Sequence, residues 1–414
     1  MKNLKGALMF GQSGGPTSVI NASAAGVFLE ALEQENITEI YGAEHGIRGI
    51  LEEKFFDIRK EDKKELELLK NTPSSALGSV RYKLKSVDVD DTDYKRILEV
   101  FKKYNIRYFF YNGGNDSMDT CNKISKYLQS QNYECNIIGV PKTIDNDLFG
   151  TDHCPGYGSA AKYVATTMME LYLDTHVYDT GMVTVVEVMG RNAGWLTAAA
   201  SLASLKGLGP DLIYLPEQPF SIEGFLEDVE RVAKEKQNKV IAVISEGIKD
   251  KDGHLISEYL SSKAKDSFGH AQLGGTAAVL AGMVSEKLHI KVRPIEFSLM
   301  QRCGAHVGSG TDIEEAFMAG RMAVRYACEG ETDKMVVFVR DENSKDYHIE
   351  YKLLPVEFAA NTEKTIPAEW ILPNHAGLTK EFADYALPLI QGASNSPLED
   401  GLPRFAHLKK IYVK

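Results

Sequence analysis

Short apolar runs rich in β-branched and aromatic residues recur along this chain and alternate with longer stretches of helical spacing, which constrains its fold more than any other feature. The runs are Ala7–Phe10, Ile106–Tyr111, Ile137–Val140, Val183–Val188, Leu212–Leu215, Val240–Ile244, Val292–Phe297 and Met335–Val339. They read as buried strands. Between many of them, Thr17–Glu33, Asp116–Gln129, Phe225–Lys236, Thr276–Lys287 and Asp312–Cys328 carry apolar residues at helical intervals. Strand, helix, strand predicts βαβ units and largely parallel sheets, hence an α/β fold of two Rossmann-like domains. A length of 414 residues leaves room for two or three domains with their own cores. The expected division is 1–156 plus 301–350 against 157–300 plus 351–414, with the chain crossing more than once. Val339–Lys414, with its prolines and aromatics, is a candidate for a separate cap.

Composition excludes several function classes. At 43% hydrophobic and 25% charged residues, the chain is neither disordered nor fibrous. Lys and Arg number 47 against 58 Asp and Glu, so the formal charge is −11 and the surface as a whole repels nucleic acid and anionic membrane. A phosphorylated ligand must therefore meet locally basic residues. The five cysteines, Cys121, Cys135, Cys154, Cys303 and Cys328, are odd in number and form no C-x-x-C pair, which fits reduced thiols in a cytoplasmic protein. No secretory leader is visible at Met1–Gly6, and the most apolar helical stretch, Ala193–Leu205, is too short to span a bilayer and reads as a buried helix.

The chemistry-bearing residues gather just past the predicted strand ends, where open α/β sheets form their ligand crevice. Gly11-Gln12-Ser13-Gly14-Gly15-Pro16 follows the first run; without Cβ atoms, such a turn brings backbone N–H groups and a helix N-terminus close to an anion. A plain structural turn is the other reading, since the Walker ending is missing. Gly113-Gly114-Asn115-Asp116-Ser117 repeats the arrangement, with Asp116 either a helix cap or a ligand group. Pro141-Lys142-Thr143-Ile144-Asp145-Asn146-Asp147 joins a lysine, a hydroxyl and two carboxylates at one strand end, suiting a general base beside a cation for developing phosphate charge. If extended, it turns Asp145 and Asp147 to one side; an Asn/Asp turn is the alternative. Met189-Gly190-Arg191-Asn192 offers an arginine fork for phosphate, and Ser245-Glu246-Gly247 a carboxylate for sugar hydroxyls.

In this order the five segments resemble the phosphofructokinase family over roughly Leu8 to Ala327, most specifically in Thr143-Ile144-Asp145-Asn146-Asp147 followed by Met189-Gly190-Arg191. The resemblance implies transfer of a phosphoryl group to the C1 hydroxyl of fructose 6-phosphate. Asp145 would take the proton, with Lys142, Thr143 and Asp147 in the same loop. Thr143, Asp145, Met189, Gly190, Arg191, Glu246, Arg293 and Arg302 would bind the sugar phosphate, Arg293 at the position from which the family often reaches into a neighbouring subunit. Gly14, Gly15, Arg81, Gly114, Asp116 and Lys142 would hold the phosphoryl donor. Mg²⁺ is the implied cofactor and a homodimer or homotetramer the implied assembly.

ATP-using members of that family carry glycine where this chain has Asp116 and Lys142. A carboxylate at the first site crowds and repels a nucleotide's inner phosphate, and a lysine at the second adds a point charge for a compact tetra-anion. Both resemble the pyrophosphate-dependent branch. Asn115 departs from that branch, where an aspartate usually stands; Asn115 and Asp116 are the candidate metal contacts, and Mg²⁺ can bind chiefly through substrate phosphates. Met182 and Leu299 also depart from common family residues. The rival readings are an ATP-dependent enzyme and a non-catalytic sugar-phosphate-binding subunit.

Overall fold

The structure is a computed structural model that describes residues 4–258, 275–341, 344, 346–359 and 362–413. Two sheets organise it. In chain order the first contains β1 (Gly6–Gln12), β2 (Ile37–Ala43), β3 (Phe55–Asp57), β4 (Ile106–Gly113) and β5 (Asn136–Pro141). The second contains β6 (Val183–Val188), β7 (Leu212–Tyr214), β8 (Val240–Ser245) and β9 (Val292–Glu296), after which β10 (Lys334–Arg340) and β11 (Ile349–Pro355) return to the first. The orders are β11-β10-β5-β4-β1-β2-β3 and β7-β8-β6-β9. All pairings within these sheets are parallel except β2 with β3 and β10 with β11. The strands of both sheet centres are buried along their length, as the apolar runs require.

Helices cover both faces. On the first sheet lie α1 (Ile20–Glu33), α2 (Thr92–Lys103) and α3 (Asn115–Ser130); α4 (Tyr157–Thr175), α5 (Ile222–Glu235) and α6 (Thr276–Leu288) lie on the second. The helix α7 (Gly310–Cys328) packs on α1. That crossing is close because glycines meet backbone: a Cβ on Gly26 would lie 2.0 Å from the Phe317 carbonyl oxygen, and one on Gly320 2.1 Å from that of Ser23. Beyond the glycines, the buried Glu30 pairs with Arg321 at 2.7 Å and Arg325 at 2.9 Å, so the charge that burial penalises is compensated from the facing helix.

Three expectations need correction. The Ala193–Leu205 stretch is largely buried as far as Ala203, with Leu205 exposed, and is not one α-helix: a single turn, Trp195–Ala198, continues as a 3-10 helix through Lys206, its small side chains allowing tight packing on α4. The tail is no separate cap. Its strand β11 extends the first sheet past residue 350, α8 (Lys380–Ala386) joins the core under the second sheet, and Tyr412 returns to bridge Phe56 of β3. Finally, the catalytic-loop candidate is not extended between its two aspartates, because Asn146 has φ 56°.

Candidate active site

The carboxyl ends of β1, β4 and β5 face a cavity of about 710 Å³. A second cavity, of about 570 Å³, opens near the amino end of β5 and is lined mostly by neutral side chains such as Asn132, Tyr133, Asn136 and Thr332. The first therefore holds the candidate chemistry. Its lining brings together Gly14, Gly15, Arg81, Gly114, Asn115, Asp116, Lys142, Thr143, Asp145 and Asp147, all singled out in the sequence.

The glycine turn after β1 needs its glycines. Gly14 sits at φ 74°, and a Cβ on Gly15 would lie 2.9 Å from Arg302 Nη1. The Gly14 N–H donates to the Val80 carbonyl at 3.3 Å, and Ser79 Oγ donates back to the Gly14 carbonyl at 2.6 Å. These bonds lace the segment bearing Arg81 to the turn. Lys142 reaches the same turn, its Nζ donating to the Gly15 carbonyl at 2.7 Å.

Among the described residues, hydrogen bonds fix most of the loop after β5 but leave the Asp145 carboxylate free. Lys142 N–H donates to the Gly113 carbonyl and Thr143 N–H to the Pro155 carbonyl, both at 3.1 Å. Thr143 Oγ1 accepts from the Asp145 N–H at 3.0 Å. The left-handed Asn146 is buried and held by its side chain, which donates to Tyr385 Oη at 2.7 Å and accepts from Cys154 N–H at 2.9 Å. Asp147 accepts from Asn115 Nδ2 at 3.2 Å. The Asp145 carboxylate, by contrast, takes no hydrogen bond among the described residues. Burial, then the charges of Asp147 and Glu246, push it up to about 7 against the pull of Lys142. Burial pushes the Lys142 ammonium down to about 8, opposed by Asp145 and helped by Arg302 and Arg81. Burial raises Asp147 as well. A free carboxyl able to exchange its proton near neutrality, beside a buried cation, can run acid–base chemistry on an anionic ligand.

The turns after β6, β8 and β9 do not line this cavity; of the sugar-phosphate candidates only Thr143 and Asp145 do. Gly190, at φ 127°, donates its N–H to Glu246 Oε1 at 3.3 Å, and Ser245 Oγ donates to the Gly190 carbonyl at 2.6 Å. Met189 N–H donates to Gln301 Oε1 at 3.1 Å, and the guanidinium of the adjacent Arg302 lies against the Gly15 turn. Arg191 is exposed on the same turn. Arg293 stands apart: on the edge strand β9 it pairs with Asp174 at 3.5 Å and does not line the cavity of its own chain.

The phosphofructokinase family matches residues 7–297. The chain belongs to the phosphofructokinase family. A pyrophosphate–fructose 6-phosphate 1-phosphotransferase of Halomonas elongata is 41% identical over 98% of this chain and 96% of the relative. One of Xanthomonas campestris pv. campestris is 42% identical over 99% and 97%. The crystal structure of pyrophosphate-dependent phosphofructokinase from Marinobacter aquaeolei superposes with a TM-score of 0.88 at 38% identity, covering 99% of this chain and 98% of that one.

Phosphofructokinase sequence motifs do not account for the whole cavity. Tyr82 and Lys83 line it beside Arg81, and Glu363 enters from the C-terminal segment. For Lys83 a signal existed, since it stands two residues from Arg81 in a segment without strand or helix pattern. Glu363 lies in a stretch that reads as loop and gave none. Asp116 is exposed in the first turn of α3 and makes no capping bond, which removes the capping explanation for it. Asn115 Oδ1 is buried without a hydrogen-bond partner while its Nδ2 is engaged by Asp147. An unpaired carbonyl oxygen in the same cavity lining as Asp116 suits a hard divalent cation, which takes oxygen donors.

Proposed function

We propose that this chain transfers the terminal phosphoryl group of pyrophosphate to the C1 hydroxyl of fructose 6-phosphate, giving fructose 1,6-bisphosphate and phosphate. The proposal rests on Asp145, a half-buried carboxyl with no hydrogen bond among the described residues, raised to about 7 and lining the same cavity as Lys142. Pyrophosphate as the donor is supported by Asp116 and Lys142 in that cavity and by the relatives at 41% and 42% identity, which bear that activity in their names.

The first sheet's loops hold the donor. Gly14, Gly15 and Gly114 let the backbone come close, and Arg81 and Lys142 face the phosphates with positive charge. The second sheet's turns hold the sugar phosphate, through Met189, Gly190, Arg191, Glu246 and Arg302, with Arg293 serving the site of a neighbouring subunit in a homodimer or homotetramer. Asp145 removes the C1 hydroxyl proton as that oxygen attacks the terminal phosphorus. The bridging P–O bond breaks, phosphate leaves, and Lys142 stabilises the charge that develops on the transferring group. In reverse, protonated Asp145 returns the proton. Thr143 and Asp147 position the loop. Asn115 and Asp116 would hold Mg²⁺, which supplies charge neutralisation on the phosphates when bound. The place of action is the cytoplasm, in keeping with the five free thiols; among the described residues no helix is long and apolar enough to cross a membrane.

Steady-state kcat/KM with pyrophosphate and with ATP, at fixed Mg²⁺ and fructose 6-phosphate, tests the reading. Pyrophosphate should be preferred by at least two orders of magnitude. A preference for ATP overturns it.

A further inference from the structure

The segment from Glu363 to Ile366 lies beyond the part of the chain that the family matches, yet it ties the loop after β5 to residues that follow β6 and β7. Lys364 N–H donates to the Asp147 carbonyl at 2.8 Å, and Lys364 Nζ to the Thr151 and Asp152 carbonyls at 3.2 and 2.5 Å. These anchors hold the catalytic loop. On the side of the second sheet, Trp195 Nε1 donates to the Lys364 carbonyl at 2.8 Å, and Ile366 N–H to Glu217 Oε1 at 3.2 Å; the same Glu217 oxygen accepts from Gly194 N–H at 2.9 Å. Glu363 is thus presented into the cavity on a backbone fixed at both ends.

Its carboxylate is oriented as well. Asn192 Nδ2, next to Arg191, donates to Glu363 Oε1 at 2.7 Å. Among the described residues Oε2 takes no hydrogen bond. Glu363 also lies near the reacting centre, because its charge is among those that raise Asp145 and Asp147 after burial.

Resting on the reaction proposed above, we infer that Glu363 binds the acceptor sugar, accepting a hydrogen bond from the C2 hydroxyl adjacent to the hydroxymethyl group that is phosphorylated. The chemistry of the two substrates selects the partner. A carboxylate only accepts hydrogen bonds, and ionised pyrophosphate offers only acceptor oxygens, so the two repel. The donors in this cavity's ligands are the sugar hydroxyls. A carboxylate that shares the cavity with Asp145 and is held by the residue following Arg191 suits the ring hydroxyls that lie between the reacting carbon and the sugar's phosphate. It also resists a donor that slides toward the acceptor subsite.

The test uses Glu363→Gln and the full-length enzyme, first confirmed to phosphorylate fructose 6-phosphate with pyrophosphate. If wild type lacks that activity, the function reading itself fails and this inference falls with it. With activity present, the amide keeps an oxygen for Asn192 but weakens the charged hydrogen bond, so KM for fructose 6-phosphate should rise roughly tenfold while KM for pyrophosphate stays within twofold. The second arm uses 2,5-anhydromannitol 6-phosphate, which lacks the C2 hydroxyl. On this acceptor, wild type and Glu363→Gln should agree within twofold in kcat/KM. An equal loss on both acceptors, an unchanged KM for fructose 6-phosphate, or a change confined to the Mg²⁺ requirement overturns the assignment while leaving the proposed reaction intact.

Discussion

Lys142 Nζ donates to the Gly15 carbonyl across 2.7 Å, so the cation of the catalytic loop is pinned to the glycine turn on the neighbouring strand. The lysine is 4% exposed. Its charge is thereby delivered to the glycine turn proposed to hold the donor, and its side chain occupies space beside Gly14, whose Cβ position is 3.4 Å from Nζ. Lys142→Gly should lower kcat/KM for pyrophosphate roughly 10²-fold, the usual consequence of removing one preorganised stabilising group. Alone it should not create ATP use, since Asp116 still faces the cavity. Adding Asp116→Gly should raise ATP use relative to pyrophosphate, only in part, because a nucleotide also needs an adenine pocket. The four-member cycle with both donors checks this, and unchanged pyrophosphate kinetics in Lys142→Gly contradict it.

The pH dependence follows from the same pair. Asp145 must be deprotonated to accept the C1 proton, so kcat/KM should rise with pH through about 7. Lys142 must be protonated to stabilise phosphate charge, so the rate should fall as pH passes about 8. The forward profile is therefore a narrow bell. Lys142→Arg, which stays charged, should remove the alkaline fall while keeping the acid limb; a profile unaltered on both sides counts against the lysine's role.

Arg191 carries a different signature. It is exposed on the turn after β6, whose backbone is held by Glu246 and Ser245. Since the sugar's own phosphate takes no part in the chemistry, Arg191→Ala should raise KM for fructose 6-phosphate at least tenfold with kcat within threefold. A rise in KM for pyrophosphate instead would reverse the two half-sites.

Stability should also respond to pH, through His153. Its imidazole is buried between Asp152, 2.8 Å from Nδ1, and Glu315, 2.7 Å from Nε2. Burial opposes the charged form, but Glu315 and then Asp152 outweigh it and lift His153 to about 9. A folded pKa above the unfolded one means that the stabilisation is complete below about 6.5 and is lost as pH rises through about 9. His153→Gln should cost about 3 kcal/mol at pH 6, and the gap from wild type should narrow by pH 10. Urea unfolding across that range measures it; a gap independent of pH contradicts a charged His153.

The strand pattern made both sheet centres legible, because buried parallel strands must be apolar throughout, as Ile137–Val140 and Val240–Ile244 are. The flanking antiparallel strands escaped: β11, Ile-Glu-Tyr-Lys-Leu-Leu-Pro, alternates exposed and part-buried residues at the sheet edge, and β3 has only three residues. The loop after β5 was legible as a density of charged and hydroxyl residues, and of its two local readings, extended or an Asn/Asp turn, the left-handed Asn146 selects the turn, held by Tyr385 and Cys154. Glu363 was illegible for a related reason. Its place in the cavity is set by Asn192 and the anchors of Lys364, all distant in sequence, and no local pattern records them.

The most direct measurement is turnover of Asp145→Asn with pyrophosphate and fructose 6-phosphate, alongside its unfolding transition. The substitution keeps size and removes the base. With Asp145 as the base, kcat should fall by roughly two to four orders of magnitude, with KM for fructose 6-phosphate within threefold of wild type and the fold intact. A folded Asp145→Asn enzyme that keeps more than a tenth of wild-type kcat would contradict it.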